Sequence, residues 1–170
     1  MSNYSAYRIG GPAPKQTDQI LQHKYSKIPV NNSSQYLITS STSFLTPGFS
    51  VLITPSNANN KIIIQFNTPM SYGRSGSKLT TRLKRTIGYT VDYPVIASYD
   101  NASSTPYSYG WSYTSRDYWQ PEEYWHVDTT HNTTNEIKYE IQYAERVNSS
   151  AAYLGHQYMP IWLSATEIKA

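Results

Sequence analysis

The sequence predicts an all-β protein: an antiparallel β-sandwich, jelly-roll-like, with an extended N-terminal arm. Three observations carry that reading. Apolar residues alternate with polar ones at period two in several short runs. Turn chemistry (Pro, Gly, Asn, Ser) recurs at intervals of about 8–12 residues. No stretch shows a convincing helical period, and Tyr, Val, Ile and Thr, which suit a pleated and half-buried surface, dominate the ordered-looking segments. Eight to ten short strands are expected.

The densest apolar material is Phe49–Phe66, which we take as the centre of the core. Its runs Phe49–Thr54 and Lys61–Phe66 flank the polar joint Pro55–Asn60, and the pattern reads as a β-hairpin. Val51 and Ile53 share one face of the first strand, and Ile62, Ile64 and Phe66 the matching face of the second. Upstream, Asp18–Ile28 and Gln35–Phe44 read as strands split by a turn from Pro29 to Ser33. Downstream, Met70–Ser77 reads as a Gly/Ser loop. Lys78–Val91 then alternates Leu79, Thr81, Leu83, Arg85, Ile87 and Tyr89 against Lys78, Thr80, Arg82, Lys84 and Thr86, which predicts one strand with a basic, solvent-facing side. Ile137, Tyr139, Ile141 and Tyr143 predict a half-buried strand. Pro160–Ile168 predicts the closing one, with Ile161, Leu163 and Ala165 on its inner face.

The 170 residues suffice for one domain without staples, and none is Cys, so disulfide and thiolate chemistry are excluded. No secretory signal or membrane-length apolar run is visible. Seventeen Tyr and four Trp stand against three Phe, and only 15% of residues are charged. Such a composition suits an extracellular or virion-surface β protein better than a cytoplasmic enzyme. The net charge of +3 hides an asymmetry: residues 1–91 carry ten Lys/Arg and one acid, residues 92–170 four Lys/Arg and ten acids. Strands of a sandwich interleave distant segments, so internal complementarity is the first reading; a polarised particle is the second. Residues 1–17, with Gly10-Gly11-Pro12-Ala13-Pro14, cannot enter a helix or sheet interior. They read as a docking arm ahead of a sandwich domain spanning residues 18–170.

The stretch Thr42–Phe66 resembles a motif of tailed-phage structural proteins, notably marine and cyanobacterial ones. Ser43, Phe44, Gly48, Ser50, Val51, Ile53, Thr54, Pro55, Ser56, Lys61, Ile62 and Ile64 carry the match. A similar echo follows in Arg82–Arg85 and in the closing Ser164-Ala165-Thr166-Glu167-Ile168. The resemblance implies a non-enzymatic bacteriophage virion protein with an all-β domain, a homotrimer on a tail fibre, spike or capsid surface. It implies no catalytic residues, and no cofactor is expected. The chain lacks the long shaft of such fibres, which favours a short fibre, a knob or a capsid-decoration protein. The arm would bind other virion proteins, and exposed loops within Tyr93–His131 would contact the host surface.

Those loops hold the candidate contact residues Tyr107, Tyr109, Trp111, Tyr113, Tyr118, Trp119, Tyr124 and Trp125. Aromatic rings with polar tips suit a core, a subunit seam or a host-surface glycan alike. A carbohydrate-binding module using Tyr109, Trp111, Trp119 and Trp125 is therefore an alternative function. A glycan-degrading depolymerase using Asp117, Glu122 or Glu123 is a weaker one, because adjacent Glu122 and Glu123 point to opposite faces of a strand. His126, Asp128 and His131 are plausible Zn²⁺ ligands by type, but their spacing matches no established site, so no metal is expected. Gly73–Lys78 has the wrong spacing for a phosphate loop and lacks a following helix. The basic run Arg74, Lys78, Arg82, Lys84 and Arg85 lacks the interleaved aromatics of a nucleic-acid strand, so neither nucleic acid nor membrane insertion is expected.

Overall fold

A computed structural model describes residues 19–28, 37–39, 43–48, 50–73, 79–94, 111–112, 120–145, 152–154 and 160–170. These form eleven strands and, among the described residues, no helix: β1 (Ile20–Ile28), β2 (Leu37–Thr39), β3 (Ser50–Ile53), β4 (Lys61–Gly73), β5 (Leu79–Ile87), β6 (Thr90–Asp92), β7 (Trp111–Ser112), β8 (Gln120–Asp128), β9 (Ile137–Glu145), β10 (Ala152–Leu154) and β11 (Ile161–Ile168). Residues 1–17, read as the arm, lie outside the described residues.

Every pairing among the described residues is antiparallel. The first sheet contains the ladder β1-β11-β4-β8, with β10 and β2 beside the far end of β4. The second runs β3-β9-β5, and β5 then pairs β6 and β7. Apart from β10 and β2, the first strand thus pairs the last, β3 pairs β9, β4 pairs β8, and β5 pairs β6 and β7. Such a set arises when a chain doubles back as one long ribbon and the ribbon then rolls up, placing alternate pairs in opposite sheets. The fold is a jelly roll.

The stretch from Ser50 to Phe66 lies at its centre, as expected, while Phe49 lies outside the described residues: Val51, Ile53, Ile62, Ile64 and Phe66 are all buried in one cluster with Leu83, Ile137, Tyr139, Ile141, Ile161 and Leu163. The hairpin reading is corrected. β3 and β4 belong to different sheets, so their apolar faces meet across the sandwich instead of lying side by side. Alternation is the same in either arrangement. The joint holds none of the two-residue Asn-Gly or Asp-Gly turns that tie neighbouring strands.

Three further readings are corrected. β4 continues through Pro69 to Gly73 where a loop was expected; its register with β8 breaks between Thr68 and Ser71, and Pro69, which has no N–H to donate, sits in that break. Residues 78–91 are not one strand. Ile87 pairs Thr90 across a two-residue turn at Gly88-Tyr89, with Gly88 at φ 59°. Glycine at the first central position with positive φ is the hairpin chemistry that lets β5 turn directly into β6. Gly88→Ala meets no atom within 4 Å, so its cost is backbone strain alone. We expect about 1 kcal/mol lower stability in urea denaturation. β9, finally, is buried on both faces, because Glu140, Gln142 and Ala144 on its outer side are covered as well.

Candidate functional site

Of the aromatic candidates, Tyr107, Tyr109, Tyr113, Tyr118 and Trp119 lie outside the described residues. Trp111 falls in β7 and Tyr124 in β8. Trp125, also in β8, is exposed on the outer face of the first sheet, at 67% of its full surface. The structure adds two aromatics that the sequence argument passed over, Tyr25 in β1 and Trp162 in β11, exposed at 61% and 41%. Alternation puts them on that same outer face: Tyr25 is opposite Ser164, Ser164 opposite Gln65, and Gln65 opposite Trp125, a single row across four strands. The next row reads Lys27, Trp162, Asn67, Glu123. The Tyr25 and Trp162 ring centres are 6.0 Å apart at 37°, and Lys27 Nζ lies 5.5 Å from the Trp162 ring centre.

The polar residues inside the sandwich are structural. Ile62 and Ile64 face inward, so their β8 partners Asp128 and His126 do too. Asp128 is fully buried. Its carboxylate accepts from Arg85 Nη1 at 2.7 Å, from the Tyr139 hydroxyl at 2.6 Å and from Thr130 N at 2.9 Å. Burial alone would push the Asp128 carboxyl up, but the donors from Tyr139, Arg85 and Thr130 hold it below the usual carboxylate range. Arg85 also pairs Asp92. Burial beside Asp128 pushes the Tyr139 hydroxyl up, so it stays a donor. His126 is lowered, chiefly by burial. His131 is buried elsewhere, with Nε2 2.8 Å from the carbonyl of Asn60. No metal-ligand cluster therefore forms from His126, Asp128 and His131, and none occurs among the described residues.

The basic run is corrected in the same way. Arg85 points into the sandwich; Lys84 pairs Glu140 at 3.1 Å. Arg82 lies between the rings of Phe44 and Tyr93, 3.8 and 4.0 Å from their centres, and donates to Gln142 Oε1 at 2.7 Å. Lys84 and Arg82 bond side chains of the neighbouring β9, and Arg82 is also stacked by Phe44 and Tyr93, so this side of β5 is not a solvated face. Arg74 and Lys78 lie outside the described residues. The ion pairs of Lys84 and Arg85 join the basic first half to the acidic second half, which is the internal complementarity the charge asymmetry suggested.

The feature that sequence reasoning did not single out is Glu167. It sits at the inner end of β11, fully buried. Its carboxylate accepts from Ser56 N and Oγ at 2.8 Å each, Asn60 Nδ2 at 2.6 Å and Gln22 Nε2 at 2.6 Å. Burial opposes the charge, but the amides of Asn60 and Gln22 and the donors of Ser56 outweigh it and keep the carboxyl low. Gln22 also donates to the carbonyl of Thr54, and Ala170 N to Asn60 Oδ1. The Thr54–Asn60 joint between the sheets is thus clasped by the final strand. The resemblance touched both stretches, Thr54-Pro55-Ser56 within its main match and Ser164–Ile168 as a separate echo, but did not link them. Gly48 of the same motif has φ 85°, where the chain turns between the Leu45 bridge and β3, both lying against β9.

Of the carboxylates considered for glycan cleavage, Asp117 lies outside the described residues and Glu123 is exposed on the outer face. No protein-family model matches the sequence. No curated protein matches it either. Among solved structures, that of the infectious bursal disease virus Gx strain aligns with 99% of this chain and 46% of its own, at 16% identity and TM-score 0.42. The crystal structure of the infectious bursal disease virus VP2 subviral particle aligns with 96% and 42%, at 18% identity and TM-score 0.39. The chain spans less than half the length of these proteins.

Proposed function

We propose that this chain is a structural protein of a virus particle, a jelly-roll unit that assembles with further copies and with other virion proteins. The observation that carries the proposal is the rolled double-ribbon pairing of the strands. Double-sheet jelly rolls serve chiefly in capsids, lectins and cupins. Here the interior is filled by Ile, Leu, Phe and Tyr side chains, which leaves the outer surfaces for function and disfavours an enclosed ligand site of the cupin kind. The resemblance to phage virion proteins points the same way. Its Thr54-Pro55-Ser56 and Ser164–Ile168 stretches meet at Glu167, so the motif has a physical reason to recur as a unit.

A bacteriophage particle is the host of choice on that resemblance, with the chain as a short tail fibre, spike, knob or capsid-decoration protein and the trimer as its oligomer. The non-enzymatic reading rests on how the buried carboxylates are used. Asp128, Glu140 and Glu167 each hold hydrogen bonds from the fold's own donors. Residues 1–17 are proposed to dock the domain on the particle, and residues 18–170 to form it.

Light scattering on the size-exclusion peak tests the assembly, using the full chain and one starting at Asp18. Oligomers of equal subunit number in both are expected, with only the full chain joining particles. Monomers at every concentration, together with no uptake into particles, would overturn the proposal.

A further inference from the structure

We propose that the outer face of the β1-β11-β4-β8 sheet binds a chain of uncharged pyranose sugars, laid across the strands from Tyr25 to Trp125. The two rings end one cross-strand row, Tyr25, Ser164, Gln65 and Trp125. Three inter-strand steps put their backbone positions about 14 Å apart, the reach of about three sugar rings in line. Both are more than half exposed and so free to stack on a ligand. Trp162, in the adjoining row, braces Tyr25 from 6.0 Å.

The spacing of polar groups decides which partner fits. A pyranose presents an apolar C–H face and a rim of hydroxyls. It therefore wants flat rings to stack on and hydrogen-bonding groups between them. The row supplies a ring at each end, with the Ser164 hydroxyl and Gln65 amide between. The adjoining row adds Asn67, with Lys27 at one end and Glu123 at the other. A second protein subunit would want a continuous apolar centre depleted of charge, which these rows lack. Within these two rows Lys27 and Glu123 cancel, so the rows carry no bias toward an acidic glycan. The site is distinct from the aromatic candidates of the Tyr107–Trp125 stretch, sharing only Trp125, and it stands independently of the virion proposal.

The test is a glycan array with the full-length protein, followed by titration of tryptophan fluorescence with cellohexaose, maltohexaose, xylohexaose, mannohexaose and chitohexaose. The variants are Tyr25→Ala, Trp125→Ala and, as a control on the opposite sheet, the exposed Leu52→Ala. We expect array signal and saturable titration by at least one of the hexaoses. Each of Tyr25→Ala and Trp125→Ala should weaken it about tenfold or more, and Leu52→Ala should leave it unchanged. Thermal melts of all three should match the parent. No binding by the parent to array or hexaoses overturns the site. So does full binding by both aromatic variants, and so does conversion of an oligomer to monomer by Tyr25→Ala or Trp125→Ala, which would make the face a subunit seam. Loss of sugar binding with assembly intact leaves the virion proposal standing.

Discussion

Arg85→Met is expected to cost about 3–5 kcal/mol, because it strands the Asp128 carboxylate inside the sandwich without its cation. For a chain of this length that lowers Tm by roughly 10–15 °C. The energetics of the pair are asymmetric. The pair itself adds little over an apolar packing of the same volume, but half of it is strongly unfavourable. Arg85→Met combined with Asp128→Asn should therefore recover part of the loss, since a neutral amide can still accept from Tyr139 and Thr130. Calorimetry on the two single variants and the double variant measures the coupling. Strict additivity, with the double variant as bad as the sum, would show that the pair does not act as a unit.

Glu167→Gln is expected to cost about 3 kcal/mol, although it changes one atom. The carboxylate is an acceptor only, and all four of its contacts come from donors. An amide must turn an NH₂ toward at least one of them and gives up the charge that strengthens the others. The loss should appear first as opening of the Thr54–Asn60 joint, seen as faster amide exchange at Ser56.

The pH dependence has a definite sign. Glu167 and Asp128 are both lowered in the folded state. Their stabilisation is thus fully present above the unfolded carboxylate pKa of about 4 and is lost as pH falls through the folded values. The parent should lose stability steeply on the acid side of about pH 4. Glu167→Gln should start lower and fall less steeply, so the two curves converge in acid. Parallel curves would mean that Glu167 has the same proton affinity folded and unfolded.

The alternation of Ile137–Tyr143, Ile161–Ala165 and Ile62–Phe66 determined strand type and inward face without ambiguity, because a period of two has one geometric meaning. Composition and turn spacing gave the sandwich class. Arg85 was already on the apolar side of its strand by alternation, though not its partners. Trp125 was legible as a candidate surface residue because it stands in an aromatic run; Tyr25 and Trp162 stand alone in theirs, and only the sheet brings them beside it.

The sequence by itself thus determined that Ile62–Phe66, Ile137–Tyr143 and Ile161–Ala165 are strands, which side of each carries the apolar core, and that the segment ending at Phe66 is central; it missed β8 and the far end of β4. The tertiary structure alone decided that β3 and β4 face each other from opposite sheets, that Asp128 and Glu167 are enclosed and met by donors as remote as Arg85 and Ser56, and that one face collects Tyr25, Trp125 and Trp162. Alternation is a local signal, carried by each strand's own pleat. Which strand lies beside which, and which side chain closes over a charge, depends on contacts between residues as far apart as Ser56 and Glu167, and no local pattern records them.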